Sequence, residues 1–201
     1  MKDIRAVFQK ALIIFLIFTV LCGVVYTLVI TSISQVLFQK QANGSIIEIN
    51  GKKYGSTLLA QEYTDEKHMW GRIMNIDTDS FTDNEGNKVV YSWPSNLTPT
   101  GEELQNIIDK RIEMIKEAHP EKGDTPIPVD LVTCSGSGLD PHISVAAAKY
   151  QVDRIAKNNN MSKEEVEAII DKYTDKKLFG LLGEKTVNVL EVNLALDGIL
   201  K

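Results

Sequence analysis

Residues 11–31 read ALIIFLIFTVLCGVVYTLVIT. No charged side chain occurs between Lys10 and Lys40, so the apolar run exceeds the roughly 20 residues that a membrane-spanning helix needs. As a helix, residues 11–31 would extend about 31 Å at roughly 1.5 Å per residue, which matches a hydrocarbon core of about 30 Å. The sequence therefore predicts a single transmembrane helix at 11–31, preceded by a short segment, 1–10.

A cleaved signal peptide is the alternative for this segment, because Lys2, Arg5 and Lys10 would serve as its basic leader. The apolar part of a signal peptide is only about 7–15 residues long and ends in a small-x-small cleavage site. This run is longer and has no such site, so a permanent anchor is favoured. The three basic residues before the span outnumber Lys40, the only one in residues 32–46, which predicts a cytoplasmic N-terminus and an extracytoplasmic domain, 32–201.

Small residues recur every four positions within the span, at Thr19, Gly23 and Thr27. This spacing places them on one stripe of a helix. Small residues on one stripe let a second helix approach closely in lipid. The stripe predicts a helix interface with a membrane partner.

The whole chain has the composition of a folded protein. The hydrophobic content is 43% and the formal net charge is −5. An acidic chain of this kind is not suited to bind nucleic acid, which requires clustered Lys and Arg. Cys22 and Cys134 lie in separate segments, so no disulfide within the chain is expected.

Several short segments predict β structure. The sequence SIIEINGKKYGS (45–56) predicts a hairpin whose turn is Asn50–Gly51, a pair that accepts positive φ. Further β regions are predicted at 69–72 and 89–93, and a buried strand at 128–132.

Capping signals predict two helices. Thr100 and Glu103 form the pattern of a capping box at the start of an amphipathic run that Pro120 ends. Ser162 and Glu165 form a second capping box before another apolar-periodic run.

The last segment, VNVLEVNLALDGIL (187–200), fits either a strand or a helix. Apolar residues at spacings of three and four, with Asn188 as cap, favour a helix. Strands mixed with separately packed helices predict one α+β domain behind the transmembrane helix.

The segment LVTCSGSGLDPHIS (131–144) is the candidate functional site. Asp140–Pro141 is a typical helix start, with Asp as cap and Pro at the first helical position. The loop from Cys134 to Leu139 is therefore predicted to join a strand to a helix N-terminus. Anions bind in this context, and nucleophile elbows also occur in it.

Neither chemistry has its full motif. An elbow requires glycine two residues before and after the serine, and Ser137 has Ser135 and Leu139 there, so a membrane-anchored hydrolase is disfavoured. A phosphate loop would end in Lys followed by Ser or Thr, which is absent. The backbone of Ser135, Gly136, Ser137 and Gly138 remains a candidate cradle for an anion, although a plain tight turn explains the glycines better.

Other chemistry-bearing residues are scattered. His68, His119 and His142 have no paired spacing, so no metal site is expected. Cys134 has no basic neighbour and is interpreted as a small buried residue. Arg72, after Trp70–Gly71, is expected to make an ion pair or a cation–π contact within the domain.

These residues, in this order, resemble the C subunit of the Kdp potassium-transporting P-type ATPase. The resemblance covers the whole chain, and its blocks are GSTLLAQEY (55–63), WGR (70–72), SNLTPT (95–100), DLVTCSGSGLDPHIS (130–144) and GEKTVNVLEVNLALD (183–197). The family usually has Gly at the position of Ala60 and often Ala at that of Cys134. Residues 91–94 replace its glycine-rich lead into SNL, which weakens a ligand role for that loop.

The resemblance implies a non-catalytic subunit of an ATP-driven potassium importer, working with pump and channel-like subunits. The family's role as a catalytic chaperone that raises the pump's affinity for ATP implies ATP as a cofactor. The chain itself has no D-K-T-G or Walker motif and only one span. Because ATP is cytoplasmic and the domain is predicted outside, we expect the domain to pack over the outer mouth of the channel-like subunit.

Overall fold

A computed structural model describes residues 2–200 of the chain, and the side chains of residues 4–200. The chain divides near Ile46 into two compact units. The first is helical. It consists of α1 (Lys2–Val20), a π-helical segment (Leu21–Tyr26), α2 (Thr27–Leu37) and a short α3 (Gln39–Ala42).

The first three elements form one apolar helix from Ile4 to Leu37. Its mean hydropathy reaches 2.8 over 18 residues and none of that window is buried, so it is long and apolar enough to cross a membrane. The predicted stripe lies on this helix. A Cβ added at Gly23 would have no neighbour within 4 Å beyond the adjacent helix backbone, while Thr19 Oγ1 donates to the carbonyl of Phe15 at 2.8 Å.

The second unit contains three small antiparallel sheets. The hairpin of β1 (Ile46–Ile49) and β2 (Lys52–Ser56) confirms the prediction for 45–56. Its turn residues, Asn50 and Gly51, have φ of 54° and 75°, as the favoured two-residue hairpin turn requires.

The other two sheets are formed by residues further apart in sequence. Strand β3 (Ile76–Asp77) pairs with β4 (Tyr91–Ser92), so the prediction for 89–93 is confirmed in part. In the third sheet, β7 (Thr186–Asn188) lies between β5 (His142–Ser144) and β6 (Thr174–Asp175).

The described part of the second unit also contains five α-helices: α4 (Glu102–Ala118), α5 (Val145–Tyr150), α6 (Val152–Asn159), α7 (Lys163–Lys172) and α8 (Val189–Leu196). Short 3₁₀ turns lie at Pro120–Lys122 and Val129–Leu131. The α+β class is confirmed. The core lies where apolar faces of the helices meet the sheet, and its fully buried side chains include Ile115, Leu131, Ile143, Ile155, Ile170, Val187 and Val192.

Of the four predicted helix caps, two are confirmed and two are wrong. The capping box of Ser162 and Glu165 is confirmed, with both hydrogen bonds present, and so is Asn188 as the cap of α8. The capping box at Thr100 is wrong. Gly101 occupies the N-cap of α4 without a side-chain cap, so the helix starts one residue too late for Thr100 to serve it.

The predicted helix start at Asp140–Pro141 is also wrong. His142–Ser144 pairs with β7 instead, and the Asp140 carboxylate accepts from the backbone N–H of His142 at 3.0 Å. The helix begins at Val145, where Ser144 Oγ accepts from the N–H of Ala147 at 3.2 Å.

Two predicted β segments are not strands. Residues 128–132 contain a 3₁₀ turn, because the N–H of Leu131 bonds back to the carbonyl of Pro128 at 3.0 Å. Residues 69–72 form no strand. Side chains bond the backbones of Met69, Trp70 and Gly71, and the nearest pairing is an isolated bridge between Ile73 and Cys134.

Candidate functional site

The side chain of Arg72 contacts both ends of the candidate loop. Arg72 Nη2 donates to the carbonyl of Cys134 at 3.0 Å and to Thr133 Oγ1 at 3.3 Å. Its Nη1 lies 3.4 Å from Asp130 and 3.9 Å from Asp140. The predicted ion pair of Arg72 is therefore confirmed, and the guanidinium joins both ends of the loop to the WGR block.

The serine hydroxyls of the loop bond to the loop itself. The two Oγ atoms of Ser135 and Ser137 lie 3.3 Å apart. Ser135 Oγ also accepts from the N–H of Asp140 at 3.3 Å, and Ser137 Oγ accepts from that of Leu139 at 3.2 Å. The N–H of Gly138 bonds to the carbonyl of Ser135 at 3.2 Å. Three consecutive N–H groups, at 138–140, thus have partners inside the turn.

The two glycines of the loop have different surroundings. Gly138 has φ of +74°, and a Cβ there would lie 2.7 Å from Ser92 Oγ and 2.8 Å from the carbonyl of Trp93. Gly136 has nothing within 4 Å of such an atom. Gly138 is therefore required by a close approach of the β4 segment, whereas the space beside Gly136 is open.

His142 is directed toward carboxylates and not toward the serines. Its Nε2 lies 3.3 Å from Asp175 and its Nδ1 lies 3.7 Å from Asp140. Nε2 also lies 3.4 Å from Asn188 Nδ2. Within residues 2–200, no hydrogen bond joins His142 to Ser137, so the loop lacks the nucleophile–base contact of a serine hydrolase.

A second polar cluster, which the sequence analysis missed, supports the WGR block. Two side-chain amides each bond both the backbone N–H and the backbone carbonyl of one residue, and these two residues are consecutive. Asn193 accepts from the N–H of Met69 at 2.7 Å and donates to its carbonyl at 3.0 Å. Gln151 does the same for Trp70 at 2.8 and 3.0 Å. Both amides are fully buried, and a polar residue on an otherwise apolar helix face was the available signal.

Arg154 extends this cluster. Its Nη2 donates to Gln151 Oε1 at 2.8 Å, its Nε donates to His119 Nε2 at 3.0 Å, and its guanidinium lies 4.5 Å from the centre of the Trp70 ring. Burial lowers the pKa of Arg154 to about 10, so the side chain stays charged at neutral pH. The cation–π contacts to Trp70 come from Arg154 and Arg111, not from Arg72.

Burial also lowers the pKa of His119, and the adjacent Arg154 adds to this effect. The hydrogen bonds agree with a neutral ring. Nε2 accepts from Arg154, which leaves Nδ1 to donate to the carbonyl of Ile115 at 2.8 Å. His119 is therefore a structural residue of the core.

A cleft of about 290 Å³ opens beside the WGR block, with Tyr63 and Met114 on its apolar side and Arg72 and Arg111 on its basic side. Arg111 donates to the carbonyls of Leu131 at 2.9 Å and Gly71 at 3.1 Å. Arg72 Nε is buried and has no hydrogen-bond partner in the described part of the chain. Both arginines therefore bond backbone carbonyls beside the cleft.

Each of the three histidines has its own partners. His68 lies between Asp65 and Asp197, with its ring nitrogens 2.7 and 3.0 Å from the two carboxylates. Among the described residues, no three His, Cys, Asp or Glu side chains are grouped so that they could hold a metal ion. Cys22 and Cys134 are both free thiols.

Comparison with known proteins places this arrangement in a family. Residues 8–198 match the profile of the family described as KdpC, the K+-transporting ATPase c chain. The matched range includes most of the apolar helix, the WGR block, the candidate loop and α8.

Three relatives are similar over nearly their whole length, and each is named potassium-transporting ATPase KdpC subunit. The protein of Clostridium botulinum strain Eklund 17B is 72% identical over all 201 residues of both chains. That of Clostridium perfringens is 58% identical over 97% of this chain and 98% of its own. That of Methylococcus capsulatus is 45% identical over 96% and 97%. The chain therefore belongs to the KdpC family, the c chain of the K+-transporting ATPase.

Proposed function

We propose that this chain is a non-catalytic subunit of a high-affinity, ATP-driven potassium importer. Its N-terminal helix anchors it, and its α+β unit stabilises the assembly by packing against the pump and channel-like subunits. The observation that carries the proposal is that the polar groups of the Cys134–His142 loop form hydrogen bonds within the loop itself, in a chain whose residues 8–198 match the family. The serine hydroxyls and the N–H groups at 138–140 bond within the turn, which favours a structural role over a reactive one.

The anchor is proposed to place the α+β unit outside the cell. Support comes from the basic residues that precede the span, because a positive flank remains cytoplasmic. In this orientation the unit lies over the outer mouth of the channel-like subunit. The Thr19, Gly23, Thr27 stripe then provides the contact with a partner's helix inside the bilayer.

Accessibility labelling tests the orientation. Glu167 is exposed on α7, and Gln9 lies in the basic N-terminal flank. In a background with Cys22→Ala and Cys134→Ala, an impermeant maleimide should label Glu167→Cys in intact cells. It should label Gln9→Cys only after the membrane is permeabilised. The reverse pattern would place the α+β unit in the cytoplasm and contradict the proposal.

The chaperone effect on ATP is proposed to be indirect. A subunit that binds the ATP-competent conformation of the pump more tightly than the alternative raises the apparent ATP affinity without touching ATP. We expect the KM for ATP of the complex to rise when this chain is omitted.

Photolabelling separates the indirect effect from direct binding. In the complete complex, an azido-ATP analogue should label the pump subunit and leave this chain unlabelled. Labelling of this chain that excess ATP abolishes would show direct contact. In that case Ser135, Gly136, Ser137 and Gly138 would be the first positions to map.

A further inference from the structure

The two most exposed large apolar side chains of the described residues, Phe179 and Leu181, lie at one hairpin tip, 178–182, between β6 and β7. Phe179 is 86% exposed and Leu181 is 83% exposed, while Leu178 and Leu182 are 60% and 62% exposed. Contiguous exposed apolar side chains are uncommon on a folded domain, and where they occur they mark interaction sites.

The tip is a formed turn. The N–H of Leu178 donates to the carbonyl of Leu182 at 2.8 Å, and the N–H of Leu182 donates back at 3.0 Å. Phe179 and Gly180 both have positive φ, 54° and 75°. A bulky residue rarely adopts this backbone conformation. The turn therefore exposes the ring of Phe179 at a cost in backbone strain.

Basic side chains flank the tip on both sides. Lys176 and Lys185 are exposed, and Lys177 pairs with Glu184 at 3.1 Å across the base of the hairpin. The sequence from 176 to 185, KKLFGLLGEK, is therefore positive within a chain whose net charge is −5.

The apolar tip itself carries no side chain that can form a hydrogen bond. Protein interfaces concentrate their binding free energy in Trp, Tyr and Arg, and the tip has none of these. Segments that bind in the plane of a membrane combine Phe and Leu on the buried side with Lys at the level of the lipid phosphates. This composition favours lipid over a protein surface.

We propose that the Leu178–Leu182 tip inserts into the surface of the bilayer in which the chain is anchored, with Lys176 and Lys185 at anionic lipid headgroups. The inference rests on the proposed membrane anchor, because a tethered unit meets the bilayer at high effective concentration. Insertion would give the α+β unit a second attachment to the membrane and restrict its rotation about the anchor.

Spin-label accessibility of the full chain in nanodiscs that contain anionic lipid tests this inference. Labels are placed one at a time, in the Cys22→Ala, Cys134→Ala background, at Leu181→Cys in the tip, Glu167→Cys on exposed α7 and Leu16→Cys in the anchor. Collisions with oxygen report lipid, and collisions with a water-soluble nickel chelate report solvent. The oxygen-to-nickel ratio at Leu181 should be severalfold above that at Glu167, with a depth of about 5–10 Å below the headgroup surface.

Each other result has a defined meaning. A water-like ratio at Leu181, with a lipid-like ratio at Leu16, overturns the inference and leaves the anchor intact. Low collision rates with both reagents at Leu181 show a tip buried against protein, which also overturns it. A water-like ratio at Leu16 overturns the anchor and the inference together.

Discussion

The side-chain amide of Gln151 gives Trp70 both hydrogen bonds that a neighbouring β-strand would give it. It accepts from the backbone N–H at 2.8 Å and donates to the carbonyl at 3.0 Å. The side-chain amide of Asn193 makes the same two hydrogen bonds to the backbone of Met69. A segment without regular secondary structure thus has its buried backbone groups satisfied, and the WGR block that carries Arg72 is held in place.

Replacing Gln151 should therefore destabilise the domain. Gln151→Leu keeps the size of the side chain but leaves the N–H and carbonyl of Trp70 buried and unbonded. The free energy of unfolding should fall by about 2–4 kcal/mol. Chemical denaturation of the full chain in mild detergent, followed by tryptophan fluorescence, measures this change.

Gln105→Leu is the matched control, because Gln105 is exposed on α4 and, among the described residues, its side chain hydrogen-bonds only to Asp109. Its effect should stay within about 0.5 kcal/mol. Equal effects of the two substitutions would show that the buried amide is not a principal support.

The two glycines of the candidate loop should differ in their response to alanine. At Gly138, positive φ and the approach of Ser92 and Trp93 predict that alanine lowers the free energy of unfolding by about 1–3 kcal/mol. At Gly136, where the space is open, alanine should change it by less than about 0.5 kcal/mol.

Assembly assays extend this comparison to function. If Gly136→Ala leaves the stability unchanged but abolishes activity of the complex, the loop binds something at that position and a purely structural turn is wrong.

His68 and His119 should respond to pH in opposite directions. Burial alone would lower the pKa of His68, but its hydrogen bonds to Asp65 and Asp197 outweigh burial and raise the pKa above 6.5. As the pH rises, His68 therefore loses its proton at a lower pH in the unfolded chain than in the folded chain. The stabilisation from His68 is full below pH 6.5 and is lost as the pH rises through the folded-state pKa.

For His119, burial lowers the pKa below 6.5. Just below pH 6.5, His119 is therefore protonated in the unfolded chain and neutral in the folded chain. Its stabilisation is full above pH 6.5 and is lost as the pH falls toward the folded-state pKa. NMR titration of the two rings measures both values. A single pKa near 6.5 for both histidines would contradict the assigned hydrogen bonds.

The helix stripe gives a prediction in the membrane. Gly23→Leu places a bulky side chain where a partner helix would approach and should release the chain from its complex during detergent extraction. Val25→Leu, on the opposite side of the helix, should leave the complex intact. Quantitative recovery of both variants with their partners would exclude the stripe as the interface.

Local signals predicted the elements whose determinants are close in sequence. Asn50–Gly51 specifies its hairpin turn, and Ser162 with Glu165 specifies the start of α7, because all atoms involved lie within a few residues. Thr100 and Glu103 form the same pattern, but Gly101 caps α4. The pattern alone does not determine which residue becomes the cap.

The candidate site depended on contacts that no local pattern encodes. Asp140–Pro141 has the chemistry of a helix start, yet pairing of His142–Ser144 with β7, over forty residues away, overrides it. Likewise, 69–72 could not be recognised as an irregular segment without knowing that Gln151 and Asn193 supply its hydrogen bonds. Tertiary partners determined these regions.

We propose that this chain contributes assembly, not chemistry, to a potassium-transporting ATPase. The most direct measurement is mild detergent purification through a tag on this chain, followed by assay of potassium-stimulated ATP hydrolysis with and without it. We expect pump and channel-like subunits to co-purify, the complete complex to hydrolyse ATP, and the isolated chain not to hydrolyse it. Recovery of the chain without these subunits, or ATP hydrolysis by the chain alone, would contradict it.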